Sequence, residues 1–344
     1  MMRPCYYCHV NSNLSKKLGQ MFFVGFKGYT LTKETRHFLR AIQPGGIIFF
    51  KCNIKNKKQI KKIINDINNC LEIKPFIAVD QEGGRVERLK KVCTSVPGLW
   101  NLSKVGLKEL LQAQSIIAKE LLELGFNMNL APVLDINSNP ENPVIGKRAI
   151  SNDPKIVASY GSKIIKLYIE NKIIPVAKHF PGHGDLEIDS HLDLPVLSKS
   201  KKELKNFELV PFKYAIKHKV PAIMVGHIQL PAIEKDKNKP ASLSKNVIYN
   251  LLRKELHYKG LVITDELNMK GVTKNYKLEK AGYKAILADA DMLLFNDNEE
   301  KTLKVFKYIK KRTTKDRILA ERIKRSYERV KQTKKKLLKL LRNN

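Results

Sequence analysis

The chain has 344 residues, 43% of them hydrophobic, so it is long enough to bury a large core. It contains no run of about 18 apolar residues, so no membrane span is expected, and its polar first residues lack the apolar segment of a secretory signal, so we expect a cytoplasmic protein. The formal net charge of +32 comes from lysines spread along the whole chain without a nucleic-acid-binding motif, so we interpret it as solvated surface and expect no specific nucleic-acid partner.

Eight short apolar runs rich in Val, Ile and Phe recur along the chain, mostly bounded by Gly, Pro or Asn, and this pattern predicts buried strands. In chain order they are Met21 to Phe26, Gly45 to Phe50, Pro75 to Asp80, Met128 to Asp135, Ile173 to Phe180, Ala222 to His227, Leu261 to Glu266 and Asp291 to Phe295. Their nearly continuous apolar character is typical of a parallel sheet that is covered by helices on its faces.

Segments with apolar residues at every third or fourth position lie between these runs and predict helices. They are Lys58 to Cys70, Lys108 to Leu124, Pro154 to Glu170, Lys201 to His218, Leu243 to Leu256, Leu278 to Ala288, Glu300 to Lys311 and Lys315 to Leu341. This alternation predicts an α/β fold, a single-domain (β/α)8 TIM barrel. Periodicity alone leaves an open, doubly wound sheet as the alternative.

Polar residues lie at or just past the C-terminal ends of six of the predicted strands. They are Asp80, Asp135, Lys178 with His179, His227, Asp265 and Asn296. In a barrel these strand ends meet at one mouth, where active sites are built. One such residue could be a helix cap, but six strands with the same feature indicate a functional site.

The segment 178–191 is the part of the chain richest in His and Asp, and its Pro and Gly residues predict a loop with sharp turns. Within it, Asp189 and His191 are two positions apart, so the carboxylate can orient the imidazole. Such a pair can donate and accept a proton near neutral pH.

Two sets of residues could be considered as metal ligands, and neither has the spacing of a common zinc site. Cys5 and Cys8 form a C-x-x-C without a second pair. The other set consists of His179, His183 and His191 with Asp185. We therefore predict no metal and no cofactor.

Two carboxylates at strand ends have more than one interpretation. Asp265 could be the nucleophile of a double-displacement glycosidase, opposite an acid/base group, or it could cap the following helix, and position alone leaves both open. Asp80 precedes the paired glycines Gly83 and Gly84, which allow a tight turn, and its carboxylate could accept hydrogen bonds from two sugar hydroxyls. The glycines do not match a phosphate-binding loop.

Four motifs give the chain a resemblance to glycoside hydrolase family 3, and within it to the bacterial β-N-acetylglucosaminidases of peptidoglycan recycling. They are D-Q-E-G-G-R-V from Asp80, N-P-V-I-G-K-R from Asn142 to Arg148, K-H-F-P-G-H-G-D-L-E-I-D-S-H from Lys178 to His191, and T-D-E-L-N-M from Thr264 to Met269. The Asp-Ser-His ending of the third motif marks the branch that uses a His/Asp pair in place of a glutamic acid.

The resemblance implies a retaining exo-β-N-acetylglucosaminidase that removes terminal GlcNAc from muropeptides. It implies that Asp265 is the nucleophile, His191 the acid/base and Asp189 its orienting partner. It also implies that four residues hold the hydroxyls of the non-reducing sugar: Asp80, Arg148, Lys178 and His179. It gives His227 no role, and we expect His191 to move into the site when substrate binds.

The resemblance also implies a domain division, with residues 1–15 as an unmatched segment and residues 16–344 as the family 3 barrel with a basic C-terminal helix. The expected partner is a small sugar or muropeptide, and a monomer is the default. Three alternatives stay open: another β-glycoside as substrate, phosphate as the acceptor, and a polyanion-binding protein on a barrel scaffold.

Overall fold

A computed structural model describes residues 6–296 and 298–342, with side chains described within 13–296 and 298–341. Ten strands are present in these residues: β1 (Phe22–Val24), β2 (Gly46–Phe49), β3 (Phe76–Val79), β4 (Gln81–Gly83), β5 (Val86–Glu87), β6 (Met128–Asn129), β7 (Ile174–Phe180), β8 (Ala222–Val225), β9 (Leu261–Thr264) and β10 (Leu293–Phe295). Strands β4 and β5 form a separate antiparallel hairpin, and the other eight pair in parallel.

The eight parallel strands close into a barrel. Their order is β10-β1-β2-β3-β6-β7-β8-β9, and the two outer strands of this series meet through a parallel bridge between Ile263 and Met292. The backbone N–H of Thr264 also donates to the carbonyl of Met292 at 3.0 Å. This closure confirms the predicted (β/α)8 barrel and excludes the open sheet.

Helices cover the outside of the barrel and follow the strands in turn. The α-helices are α1 (Tyr6–Gly19), α2 (Lys33–Ile42), α3 (Lys57–Cys70), α4 (Leu99–Val105), α5 (Leu107–Leu124), α6 (Pro154–Glu170), α7 (Lys201–Asn206), α8 (Leu209–Lys217), α9 (Lys270–Thr273), α10 (Leu278–Ala288), α11 (Glu299–Arg312) and α12 (Arg317–Arg342). A π-helix, Asn246–Glu255, occupies the helical position after β8.

Several elements differ from their predicted bounds. The predicted helix 201–218 is two helices, because Pro211 has no N–H to continue the hydrogen-bond ladder and instead lies in the first turn of α8. The predicted strand 128–135 pairs regularly only at 128–129 and again at Val133, beside Pro132, which has no N–H to donate. Helix α2, which was not predicted, begins at a Thr32 cap and buries Phe38 against the core.

The interior of the barrel is apolar at its lower end and polar at its mouth. Side chains from every barrel strand fill the interior, and Val330 and Leu337 of α12 join the same cluster from below. Helix α12 thus packs against the lower end of the barrel, opposite the carboxyl ends of the strands. Among the described residues, no helix is long and apolar enough to cross a membrane.

Candidate active site

A cavity of about 320 Å³ opens at the carboxyl ends of the strands, with Leu130, Met224 and Leu294 among its lining residues. The seven predicted site residues all line this cavity: Asp80, Arg148, Lys178, His179, Asp189, His191 and Asp265. They come from the ends of β3, β7 and β9, from the loop after β7 and from a single 3-10 turn at 146–148. The barrel thus brings together residues up to 185 positions apart in the chain.

Two cations and two carboxylates form an ion network on one wall of the cavity. The buried carboxylate of Glu82 accepts hydrogen bonds from Arg148 Nε at 2.9 Å and Arg148 Nη2 at 2.8 Å. Lys178 Nζ lies 2.7 Å from Glu82 and 2.7 Å from Asp80. Burial raises the pKa of Glu82, but the charges of Arg148 and Lys178 outweigh burial and hold it well below its usual range. The wall therefore presents fixed charges that can bind hydroxyl groups.

A second buried carboxylate, Asp135, orients the histidines behind the cavity. Its oxygens accept hydrogen bonds from the backbone N–H groups of His179 and His183, at 3.1 and 2.7 Å, and lie 2.7 Å from His179 Nδ1. Because Nδ1 donates to Asp135, the Nε2 atom of His179 is the nitrogen that can meet a ligand. Burial and the neighbouring His179 lower the pKa of His183 to about 4, so its ring is neutral at neutral pH.

Asp189 and His191 form a hydrogen-bonded pair at the rim. The carboxylate of Asp189 accepts from the backbone N–H of His191 at 2.8 Å and lies 2.7 Å from its Nδ1. Burial raises the pKa of Asp189, but these two hydrogen bonds lower it below its usual value. Nε2 of His191 is then free to exchange a proton, and the imidazole is 63% exposed.

Asp265 directly follows β9, and its side chain faces the cavity. Its N–H donates to Val225 O at 2.9 Å, and its Oδ1 accepts from the N–H of Glu266 at 2.8 Å. Burial would raise the pKa of Asp265, but His227 and His179 lower it below its usual value, so the carboxylate is ionised. A carboxylate in this state can act as a nucleophile.

His227 supports the backbone next to Asp265. It is buried, its Nε2 lies 2.8 Å from the carbonyl of Glu266, and its Nδ1 lies 2.7 Å from Ser242 Oγ. Since a carbonyl only accepts, Nε2 carries the proton and Nδ1 accepts from the hydroxyl. His227 therefore holds the turn after the candidate nucleophile in place.

Glu82 and Asp135 are two buried carboxylates of the site to which the sequence analysis assigned no role. Glu82 stands in the D-Q-E-G-G-R-V motif two positions after Asp80, so a strand at this point would place both carboxylates on one side. Asp135 was noted only as a residue at a strand end. No pattern in the sequence shows that either carboxylate is buried. Cys5 lies outside the described residues, and the side chain of Cys8 is not among those described.

The architecture agrees with comparisons to known proteins. A model of the glycosyl hydrolase family 3 N-terminal domain matches residues 13–333. The chain belongs to glycosyl hydrolase family 3. Within the family it is 35% identical over 276 residues to a β-hexosaminidase of Photobacterium profundum, with 79% of this chain and 80% of the relative covered.

Two further relatives are longer than this chain. A β-hexosaminidase A of Pseudoalteromonas piscicida is 33% identical over 316 residues, which are 81% of this chain but only 53% of the relative. The structure of a family 3 β-N-acetylglucosaminidase from Paenibacillus superposes with a TM-score of 0.92 at 37% identity, over 94% of this chain and 62% of that one. The chain thus spans about half to two thirds of the length of these two family members.

Proposed function

We propose that this chain is a retaining exo-β-N-acetylglucosaminidase that releases terminal β-linked GlcNAc from peptidoglycan fragments. The observation that carries the proposal is one cavity lined by an ionised carboxylate, Asp265, and by a hydrogen-bonded Asp189–His191 pair. These are the two groups that a double displacement at a sugar requires. The family relatives that are named β-hexosaminidase support the sugar class.

In the first step, Asp265 attacks the anomeric carbon and forms a glycosyl ester. The bond to the leaving oxygen breaks, and Nε2 of protonated His191 gives that oxygen its proton. In the second step, neutral His191 takes a proton from water, the water oxygen attacks the same carbon, and Asp265 leaves as carboxylate. Two inversions at one carbon give net retention of configuration.

The cavity supports removal of a terminal sugar rather than cleavage within a chain. Its volume of about 320 Å³ is at the small end of ligand pockets, and α12 closes the opposite end of the barrel. We assign the sugar hydroxyls to the wall formed by Asp80, Arg148, Lys178 and His179. Muropeptides carry carboxylates, and a chain with net charge +32 would not repel them.

The decisive experiment compares 4-nitrophenyl β-N-acetylglucosaminide with the matching β-glucoside, for the wild type and Asp265→Asn. We expect release from the N-acetyl substrate alone, and a loss of at least about 1,000-fold in kcat/KM for Asp265→Asn. Proton NMR of the first product should show the β-anomer. Asp66→Asn in α3, at a residue that does not line the cavity, is the matched control and should behave as the wild type.

Different results would contradict the nucleophile, the double displacement and the N-acetyl specificity. Full activity of Asp265→Asn would remove the nucleophile assignment, and the α-anomer as first product would exclude a double displacement. Equal release from the glucoside would remove the N-acetyl specificity.

Phosphate as acceptor is the second candidate, and the use of an imidazole at the acid/base position favours it. A neutral His191 beside the glycosyl ester does not repel an incoming anion, whereas a carboxylate there would. Formation of the sugar 1-phosphate in phosphate buffer would establish this route, and release of free sugar alone would exclude it.

A further inference from the structure

Asn142 joins two neighbouring loops that line the cavity, its own loop after β6 and the loop after β7. Its buried amide nitrogen donates to the carbonyls of His183 at 2.8 Å and Leu186 at 2.7 Å. Its amide oxygen accepts from the N–H groups of Val144 at 2.9 Å and Ile145 at 2.7 Å. Both donors and both acceptor positions of the amide are therefore used.

On one side, Asn142 is hydrogen-bonded to the backbone of residues 144–145, and the same two residues are hydrogen-bonded to Arg148. The carbonyl of Val144 accepts from Arg148 Nη1 at 3.2 Å, and the N–H of Arg148 donates to Ile145 O at 2.9 Å. The guanidinium is fixed further by Glu82. A shift of residues 144–145 would move Arg148 away from this position.

On the other side, His183 continues the connection to the rim. Its Nε2 lies 3.1 Å from the hydroxyl of Ser190, which stands between Asp189 and His191 in the chain. Gly184 packs so closely on the backbone of Ile136 that a Cβ there would lie 1.7 Å from the Ile136 carbonyl oxygen. The base of this loop is therefore fixed. The hydrogen bonds from Asn142 to His183 and from His183 to Ser190 connect Asn142 to the Asp189–His191 pair.

We propose that Asn142 is a positioning residue that couples the loop holding Arg148 to the loop holding the acid/base pair. Asn142 itself touches no substrate in this scheme. It sets where His191 stands relative to a sugar held by Arg148. The inference rests on the proposed function, in which His191 protonates the leaving oxygen.

The leaving group of the substrate separates this role from a general structural one. A poor leaving group needs protonation by His191, and a good one departs with little help. A misplaced His191 therefore slows a 4-methoxyphenyl glycoside much more than a 2,4-dinitrophenyl glycoside. Damage to sugar binding or to the fold would slow both substrates equally. The ratio of kcat/KM for the two N-acetylglucosaminides is the readout, because it reports the step in which the leaving group departs.

Asn142→Asp breaks only one half of the connection. The carboxylate keeps the two acceptor positions for Val144 and Ile145, but it has no N–H for the carbonyls of His183 and Leu186. We expect kcat/KM to fall about 10- to 100-fold for the methoxyphenyl substrate, part of the full contribution of a general acid, and by less than about 3-fold for the dinitrophenyl one. Asn139→Asp, in the same loop, is the matched control, since its side chain accepts from Glu141 N and a carboxylate retains that bond.

Ser190→Ala removes the hydrogen bond between His183 and Ser190, which is the last bond in the connection from Asn142 to the acid/base pair. This test remains possible even if the Asn142 variant does not fold. It should give the same selective loss, and the double variant should lose less than the product of the two single losses. An equal effect of Asn142→Asp on both substrates, or no effect, would overturn the inference. His191→Ala separates failure of the proposed function from failure of the Asn142 inference. If His191→Ala slows the two substrates equally, His191 is not the acid/base, and the proposed role of Asn142 is wrong as well. If His191→Ala slows only the methoxyphenyl substrate but Asn142→Asp does not, the role of Asn142 alone is wrong.

Discussion

At the scale of single residues, His183 makes the stability of the protein depend on pH. Burial lowers its pKa from 6.5 to about 4. Between these values the unfolded chain binds a proton that the native state does not. The contribution of His183 to the free energy of unfolding is therefore fully present above pH 6.5, falls as the pH drops from 6.5 to 4, and changes no further below 4, a total loss of about 3 kcal/mol.

We expect His183→Gln to flatten this decline. The measurement is the free energy of unfolding in urea at pH 7, 6, 5 and 4.5 for the variant and the wild type. Some slope should remain, because burial also lowers the pKa of His227. His218→Gln on the exposed end of α8 should leave the curve of the wild type unchanged. Parallel curves for His183→Gln and the wild type would contradict a neutral, buried His183.

The sequence predicted the residues around the cavity better than it predicted their supports. Asp265, Asp189 and His191 occur in motifs with little ambiguity, and all three line the cavity. Glu82 and Arg148 meet across 66 positions of the chain, and only the closed barrel brings them together. Burial and long-range pairing depend on tertiary structure, so no local pattern reports them.

At the scale of elements, one lysine joins the two ends of the loop between β7 and α7. Lys199 Nζ lies 3.1 Å from Asp185 at one end of the loop and 2.5 Å from Glu208, which directly precedes α8. His191, near the tip, is 63% exposed. A loop whose ends are fixed and whose tip is exposed can close over bound sugar.

We expect GlcNAc to slow amide hydrogen exchange at residues 187–193, where the tip closes. Lys199→Met should speed exchange throughout 186–198 and reduce the effect of the sugar, because Asp185 and the buried Glu208 lose their shared cation. The expected cost in stability is about 2 kcal/mol. Lys201→Met, which removes an exposed ion pair to Glu255, is the control. Identical exchange at the tip with and without sugar would argue against closure.

The bounds of helices could be predicted from the sequence where the apolar periodicity was strong. The helices α5, α6 and α10 have strong apolar periodicity, and their predicted bounds agree closely with the structure. Helix α2 is short and rich in charge, so its few apolar residues gave no clear period. The segment after β8 was predicted as a helix but not as a π-helix, because the apolar pattern does not distinguish the two types of turn.

At the scale of the whole molecule, Lys334 differs from the lysines that extend into solvent, because its side chain is partly enclosed by the barrel. Lys334 of α12 points toward the lower end of the barrel, between Val330 and Leu337 in the helix. Its Nζ donates to Gln20 Oε1 at 2.7 Å and lies 5.2 Å from the centre of the Phe76 ring. Burial lowers its pKa from 10.5 to about 7.

The lowered pKa sets how Lys334 acts on stability. Below pH 7 the native state must hold a charge that water solvates better, so the lysine destabilises the fold most there. As the pH rises from 7 toward 10.5, the native lysine is neutral while the unfolded one still binds a proton, and the penalty shrinks. The hydrogen bond to Gln20 and the contact with the Phe76 ring offset part of it.

Lys334→Met should therefore raise the free energy of unfolding at pH 7 by about 1 to 2 kcal/mol, with a smaller gain at pH 9.5. Urea denaturation at both pH values measures the difference. The control is Lys335→Met on the exposed side of α12, which should change little at either pH. Activity should be unaffected, because α12 lies at the end of the barrel opposite the cavity. A loss of stability in Lys334→Met would mean that the Gln20 and Phe76 contacts outweigh the cost of burying the charge.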